Sequence, residues 1–220
     1  MRSRTIKLTS FIALLALFAV AAGYRQGRNP VPSTDRGGAF TIQAKQTTYN
    51  EDGTVFSVGD ATRYNSSNGS YRHVTINGDV TSVYSHQAGR GFFIVDQKRQ
   101  LLLKNPIASL HRDTLKGASP EELSSSPKFV RTESLLGYTA YVYQAKDPDT
   151  GIVFHEGWEI PELGHTDVKF IDHDRLTGKL VETYEPISIV LGEPDAANLR
   201  LPNYPEKIMP PPSLPRVPGN

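Results

Sequence analysis

The sequence predicts a mainly β domain, a curved antiparallel sheet of about eleven strands with two short helical inserts. Three observations carry that expectation. Hydrophobicity alternates with period two through most of residues 39–204, turn-forming dipeptides and Gly-containing loops recur between the alternating runs, and helical periodicity is confined to two brief stretches. A chain of 220 residues with 38% hydrophobic and 21% charged residues suits one domain with tails and can bury a real core. A mean hydropathy of −0.39 excludes a multi-span membrane protein. The net charge of +1 offers no surplus that would draw nucleic acid, and none is expected as a partner. With no cysteine, the chain has no disulfide, thiolate metal site, cysteine nucleophile or acylated N-terminal cysteine.

The strands follow in order. Phe40 and Ile42 alternate with Thr41 and Gln43, and the segment from Asn50 to Gly53 supplies a turn before a second strand over Thr54 to Tyr64. After a turn from Asn65 to Gly69, Arg72, Val74 and Ile76 share one face, with Tyr71, His73 and Thr75 opposite. Asn77-Gly78 favours a type I′ hairpin, because both positions accept positive φ. Val80 to His86, Gly91 to Asp96 and Leu101 to Lys104 continue the meander. Ile107, Leu110 and Leu115 then fall at roughly helical spacing, and Ser119-Pro120 followed by Glu121 and Glu122 makes a helix start. Strand periodicity resumes over Phe129 to Leu136, Tyr138 to Ala145, Ile152 to Ile160, Asp167 to Asp172 and Lys179 to Leu191. Tyr138, Ala140 and Val142 oppose Tyr141 and Tyr143, so both faces are semi-apolar, as in a curved sheet covered or lined on its concave side. Pro186 inside the last run calls for an edge or a bulge.

The two ends carry different signals. Arg2, Arg4 and Lys7 precede an apolar run from Phe11 to Ala22, and Ala19 and Ala21 fit an A-x-A cleavage site. The run is shorter than the roughly 20 residues of a spanning helix, so residues 1–22 read as a signal peptide. The alternative is an uncleaved anchor, which would be the chain's one membrane contact. Either way the domain is exported, to a periplasmic or extracellular site. Residues 23–38 read as a flexible linker, rich in Gly and Pro. The folded domain is expected over residues 39–204, and residues 205–220, with six prolines, as a disordered tail.

Three phrases add a resemblance: Gly89 to Asp96, Glu133 to Tyr138 leading into a strand, and Gly192 to Asp195 leading to Leu201-Pro202. With the order of signal, meander, helical insert and second meander, the chain resembles the LolA/LppX-like lipoprotein-carrier superfamily. That resemblance implies an unclosed half-barrel whose helices cover a concave apolar face. It transfers no functional residue by position, and the N-terminal helix that would precede the first strand is missing.

The polar clusters carry no complete catalytic pattern. His155 and Glu156 begin like a zinc-protease helix, but the second histidine is missing and the segment is strand-like. His155 and Glu159 share a face there, and a metal would need His165 or His173 as well. The loops at Asp147 to Gly151 and Asp172 to Asp174 lack the calcium-loop pattern and read as turns. There is no G-x-S-x-G elbow and no phosphate loop. Asn65 and Asn68 match the glycosylation pattern within what is otherwise a surface turn. No enzyme, metal or cofactor is expected. Two readings stand. In one, a concave sheet binds an acyl chain or lipidated peptide through Phe92, Ile94, Val142, Phe154, Trp158 and Phe170, taken from one face of the strands. In the other, those residues fill a closed core and the protein is a structural or interaction module that holds an envelope protein partner.

Overall fold

The computed structural model describes residues 38–105, 120–164 and 166–209. The signal segment, the linker to residue 37, the helix expected at Ile107 to Leu115 and the tail beyond Met209 lie outside the described residues. What is described is one open, curved sheet of twelve strands. In chain order these are β1 (Phe40–Tyr49), β2 (Val55–Asn65), β3 (Tyr71–Asn77), β4 (Val80–Gln87), β5 (Gly91–Asp96), β6 (Leu101–Asn105), β7 (Phe129–Leu135), β8 (Tyr138–Lys146), β9 (Val153–Glu159), β10 (Asp167–His173), β11 (Leu180–Leu191) and β12 (Glu206–Ile208). Helix α1 (Pro120–Ser124) stands where the Ser-Pro-Glu-Glu signature placed it, and α2 (Ala196–Leu199) follows β11.

Across the sheet the order is β12-β6-β5-β4-β3-β2-β1-β11-β10-β9-β8-β7. Two hairpin meanders, β1 to β6 and β7 to β11, therefore join where β1 pairs antiparallel with β11. Pro186 sits in this interior seam. Gln43 faces Ser188 while Ala44 faces Pro186, so Ile187 is the extra residue of a bulge. Proline lacks a ladder donor, and a bulge is how an interior strand accommodates it. The hairpin turns one residue later than the expected type I′ pair: Asn77 opposes Val80 as the end of β3, the loop is Gly78-Asp79, and of these residues only Gly78 takes a positive φ, 56°, so the turn is not type I′.

The turn reading of the Asp-rich loops holds. Asp147 Oδ1 accepts from the amides of Asp149 and Thr150 at 3.1 and 3.0 Å, and Asp174 Oδ1 accepts from Leu176 and Thr177 at 3.1 and 2.7 Å. The Thr177 hydroxyl with these amides holds Asp174, and the amides with the Thr150 hydroxyl hold Asp147, below the usual carboxylate range. Asn65 is buried and donates to the Gly38 carbonyl at 2.8 Å, so its glycosylation pattern is closed to solvent.

The domain extends past the expected boundary at Tyr204. Glu206, Lys207 and Ile208 pair parallel with Leu102, Leu103 and Lys104 to form β12, where a disordered tail was expected. Proline withholds a donor but keeps its carbonyl: Leu102 N donates to Pro205 O at 2.9 Å, and Met209 N to Lys104 O at 2.9 Å. The chain reaches that edge by a strap from Gly192 to Pro205. Glu193 accepts from Ser66 Oγ at 2.8 Å and Ser67 N at 3.0 Å, clasping the β2–β3 turn. Arg72 Nη1 donates to the Asn198 and Arg200 carbonyls, each at 3.2 Å, and Gln87 Nε2 to the Leu199 carbonyl at 2.8 Å. Leu201 and Tyr204 then pack on a core of Val83, Phe93, Val95 and Leu102.

Replacing Arg72 with alanine strips the strap carbonyls of their donor. The expected cost is on the order of 1–3 kcal/mol. It should appear as a lower urea midpoint together with new proteolytic cleavage between Gly192 and Pro205; cleavage unchanged from wild type would contradict a strap held by Arg72.

Candidate functional site

Side chains directly opposite one another in an antiparallel ladder share a face. The registers therefore sort the sheet into a face carrying Tyr184 and a face carrying Trp158. On the first, Phe92 opposes His86, Ile94 opposes Tyr84, and Tyr84 opposes His73. The row continues through Arg63, paired with both His73 and Ile42, and through Tyr184, which is paired with Gln46 and Phe170. On the second face Val142 opposes Trp158, which opposes Lys169.

The six candidate binding residues thus do not share a face. Phe92, Ile94 and Phe170 lie on the Tyr184 face, whereas Val142 and Trp158 lie on the other. Phe154 sits at the β8–β9 register shift beneath the Arg175 guanidinium, 4.2 Å from its ring centre. The physical reason is parity: Trp158 follows Gly157, which opposes Phe170, so the indole and the Phe170 ring point oppositely. The indole N–H donates to Glu133 at 2.7 Å, and the cations of Arg131 and Lys169 lie over its ring. It is held by charge and packing on the Trp158 face.

The Tyr184 face is the concave one. β3 and β11 are three strand spacings apart, about 14 Å, yet the rings of His73 and Tyr184 meet at 5.7 Å between centroids. Arg63 of β2 reaches over the same number of strands to donate to the Asp167 carbonyl of β10 at 2.7 Å. Side chains converge like this only where the sheet folds inward. The floor between them is correspondingly small. Ala44 and Ala61 face each other, buried, and a Cβ on Gly59 would meet Thr75 Cγ2 at 2.9 Å and the Ile76 carbonyl at 3.0 Å. Through that gap Thr75 Oγ1 reaches Gln46 Oε1 at 2.7 Å, across β2.

Two systems run over this face. One is aromatic. Phe92 contacts Tyr71 and Tyr84, Tyr84 contacts His73, His73 contacts Tyr184, and Tyr184 stacks on Phe170 at 5.3 Å with planes 6° apart. Phe170 stacks in turn on His155. Tyr184, Phe40 and Ile42 are fully buried, whereas Tyr71, Tyr84, Phe92 and Ile94 are only half-buried. Burial pushes the Tyr84 hydroxyl up to about 12, and desolvation with the nearby Arg63 charge presses His73 down to about 3. The Tyr184 hydroxyl is buried with no hydrogen-bond partner among the described residues.

The second system is polar. His155 Nδ1 lies 2.5 Å from Asp172 and its Nε2 3.4 Å from Asp167. Burial opposes the imidazolium, but the two carboxylates outweigh it and raise His155 to about 10. Gly157 makes room for this triad, since a Cβ there would collide with the Asp167 carboxylate and stand 2.9 Å from His155 Nε2. The histidine considered as a metal ligand is therefore the cation of an ion-paired cluster. Among the described residues no group of His, Asp and Glu has the arrangement of a metal site, and His165 lies outside them. Beside the triad, Asp172 opposes Glu182, a fully buried carboxyl that accepts from Gln46 Nε2. Burial first, and the Asp172 charge after it, raise Glu182 to about 7, against the Gln46 bond that lowers it. Sequence reasoning missed Glu182, Gln46 and Thr75, because nothing local distinguishes them from other strand polars.

Two hollows among the described residues are shallow. One of about 380 Å³ is lined by Arg72, Val95, Arg200, Leu201 and Tyr204 under the strap; the other, about 230 Å³, lies by Thr132 and Thr139. None of the six candidates lines either.

No family model and no curated protein matches this chain. Solved structures similar to it include an uncharacterized conserved protein from Thermus thermophilus (12% identity, 77% of this chain and 90% of that one, TM-score 0.48). MucB in complex with MucA(peri) is 17% identical over 77% of this chain and 56% of that chain, with a TM-score of 0.44. A LolA superfamily protein from Nitrosomonas europaea is 12% identical over 75% of this chain and 91% of that one, with a TM-score of 0.40. The similar structures thus include members of the superfamily that the sequence resembles.

Glu182 gives a pH test with a definite sign. Its folded pKa lies above the ordinary carboxyl value of 4.5, so the folded state holds the proton longer and stability falls as pH rises from about 4.5 through 7. Glu182→Gln keeps the acceptor for Gln46 and removes the charge. It should stabilise the protein at pH 8 by on the order of 2 kcal/mol, with the difference shrinking to little at pH 4.5. Equal melting temperatures for the two proteins at both pH values would contradict a buried, proton-holding Glu182.

Proposed function

We propose that this chain is an exported, non-enzymatic envelope protein that holds a hydrophobic ligand, an acyl chain or lipidated peptide, against its concave face. The observation that carries this reading is the half-buried apolar panel of Tyr71, Tyr84, Phe92 and Ile94, placed on the inward-curving side of the sheet. Apolar side chains left half-exposed in a concavity gain by covering themselves, and an acyl chain buries about 0.8 kcal/mol of transfer free energy per methylene. Phe170 extends the same row towards the His155 cluster. Of the six residues expected from the sequence, Phe92 and Ile94 remain the proposed contacts, while Phe170 is already buried in the core.

The alternative, a structural or protein-interaction module in which no small ligand binds, draws support from the middle of the same face. There Tyr184, Phe40, Ile42 and Ala44 are already fully buried. On that reading the proposed partner is another envelope protein.

Native mass spectrometry of the protein from its own envelope fraction, before and after solvent extraction, separates the two. A lipid-sized adduct that leaves on extraction, and that is lost from Phe92→Asp but kept by Trp158→Phe, supports the binding reading. An apo mass with no lipid in the extract sinks it and leaves the interaction module. Fluorescence titration with an acyl-chain probe should show Phe92→Ala weakening binding about tenfold.

A further inference from the structure

We propose that strand β7 is a homodimer interface, at which a second copy of this chain pairs antiparallel and extends the sheet across a twofold axis. The two edges of the sheet are built differently. β12 is three residues long, carries Lys207 at its centre and is preceded by Pro205, all of which discourage a further strand. β7 has seven residues, with no lysine and no proline. Its ladder partner is β8 alone among the described residues. Val130, Thr132 and Ser134 on it are exposed. Its register shift between Phe129 and Arg131 leaves the stretch from Arg131 to Leu135 regular.

Symmetry and charge together favour one register. A twofold axis perpendicular to a continuous sheet allows only pairings in which some residue opposes its own copy, because opposed side chains must share a face. Centring on Arg131 would oppose two guanidinium groups, and centring on Glu133 would oppose two carboxylates. Centring on Thr132 places Thr132 opposite its own copy and Arg131 opposite Glu133 of the second copy twice over; the bulge at Val130, which turns Phe129 to the face away from Arg131, ends the regular pairing there. Hydroxyl pairs and opposite charges are cross-strand combinations that stabilise ladders, and like charges directly opposite destabilise them. Arg131 and Glu133 are already held in line within one copy, 2.5 Å apart, with Glu156 and the Trp158 indole fixing their outer atoms. The charges are therefore ordered before a partner arrives.

The absence of cysteine makes the test direct. Residues opposed in an antiparallel ladder have Cα atoms about 4.5 or 5.5 Å apart, within the span of a disulfide. Full-length Thr132→Cys in mild detergent should convert to a reducible dimer under gentle oxidation, whereas Leu176→Cys, on an exposed turn, should not. Sedimentation velocity should show a dimer for wild type and a monomer for Thr132→Lys, with circular dichroism confirming that the lysine variant is folded. The proposal is overturned by a wild type that stays monomeric, by Thr132→Cys cross-linking no faster than Leu176→Cys, or by Thr132→Cys linking in cells to a different protein.

Discussion

The concave face depends on an absence of volume. At Gly59, Ala61 and Ala44 the sheet presents a floor one methyl high or less, and only over such a floor can His73 and Tyr184 meet from strands about 14 Å apart. Larger residues there would prop the two meanders open, separate Arg63 from the Asp167 carbonyl and cut Thr75 off from Gln46. The curvature, the aromatic row and the polar chain are three results of one packing constraint. Interiors tolerate neither voids nor excess volume, so this narrow band sets the geometry of everything on either side of it.

Much of this was legible in the sequence. Eleven strands stand where period-two alternation and turn dipeptides placed them, because both signals are local and each hairpin joins neighbours in the chain. Pro186 announced its bulge, since a residue without a ladder donor leaves few options inside a sheet. What could not be read was parity. Trp158 and Phe170 both look like inward-facing aromatics, yet β9 and β10 pair so that Gly157 opposes Phe170, which puts the Trp158 indole on the other face. Such a register is decided by the whole sheet. β12 was missed for a different reason: composition flagged the prolines, and composition does not say which backbone carbonyls remain available.

The polar cluster shows the same division between local and non-local information. His155 stood out as a possible ligand because histidine invites that reading. Its partners, Asp167 and Asp172, come from the next strand and turn it into a charged brace. Glu182 drew no notice at all in the sequence, although it is the most buried carboxyl of the face. A carboxyl in that position is costly when ionised, so its retention beside Gln46 ties the protonation of the sheet's centre to the pH of its surroundings.

The strap from Gly192 to Pro205 also orders events in time. It is synthesised after both meanders, and it closes the sheet by running back over strands made in the first half of the chain. Until it arrives, the outer backbone of β6 is unpaired and the apolar patch around Phe93 lacks Leu201 and Tyr204. A chain cut short before Leu201 would therefore carry a complete set of hairpins together with an open, adhesive edge. The strap acts as a latch, and a domain that has not been made through it remains recognisably unfinished.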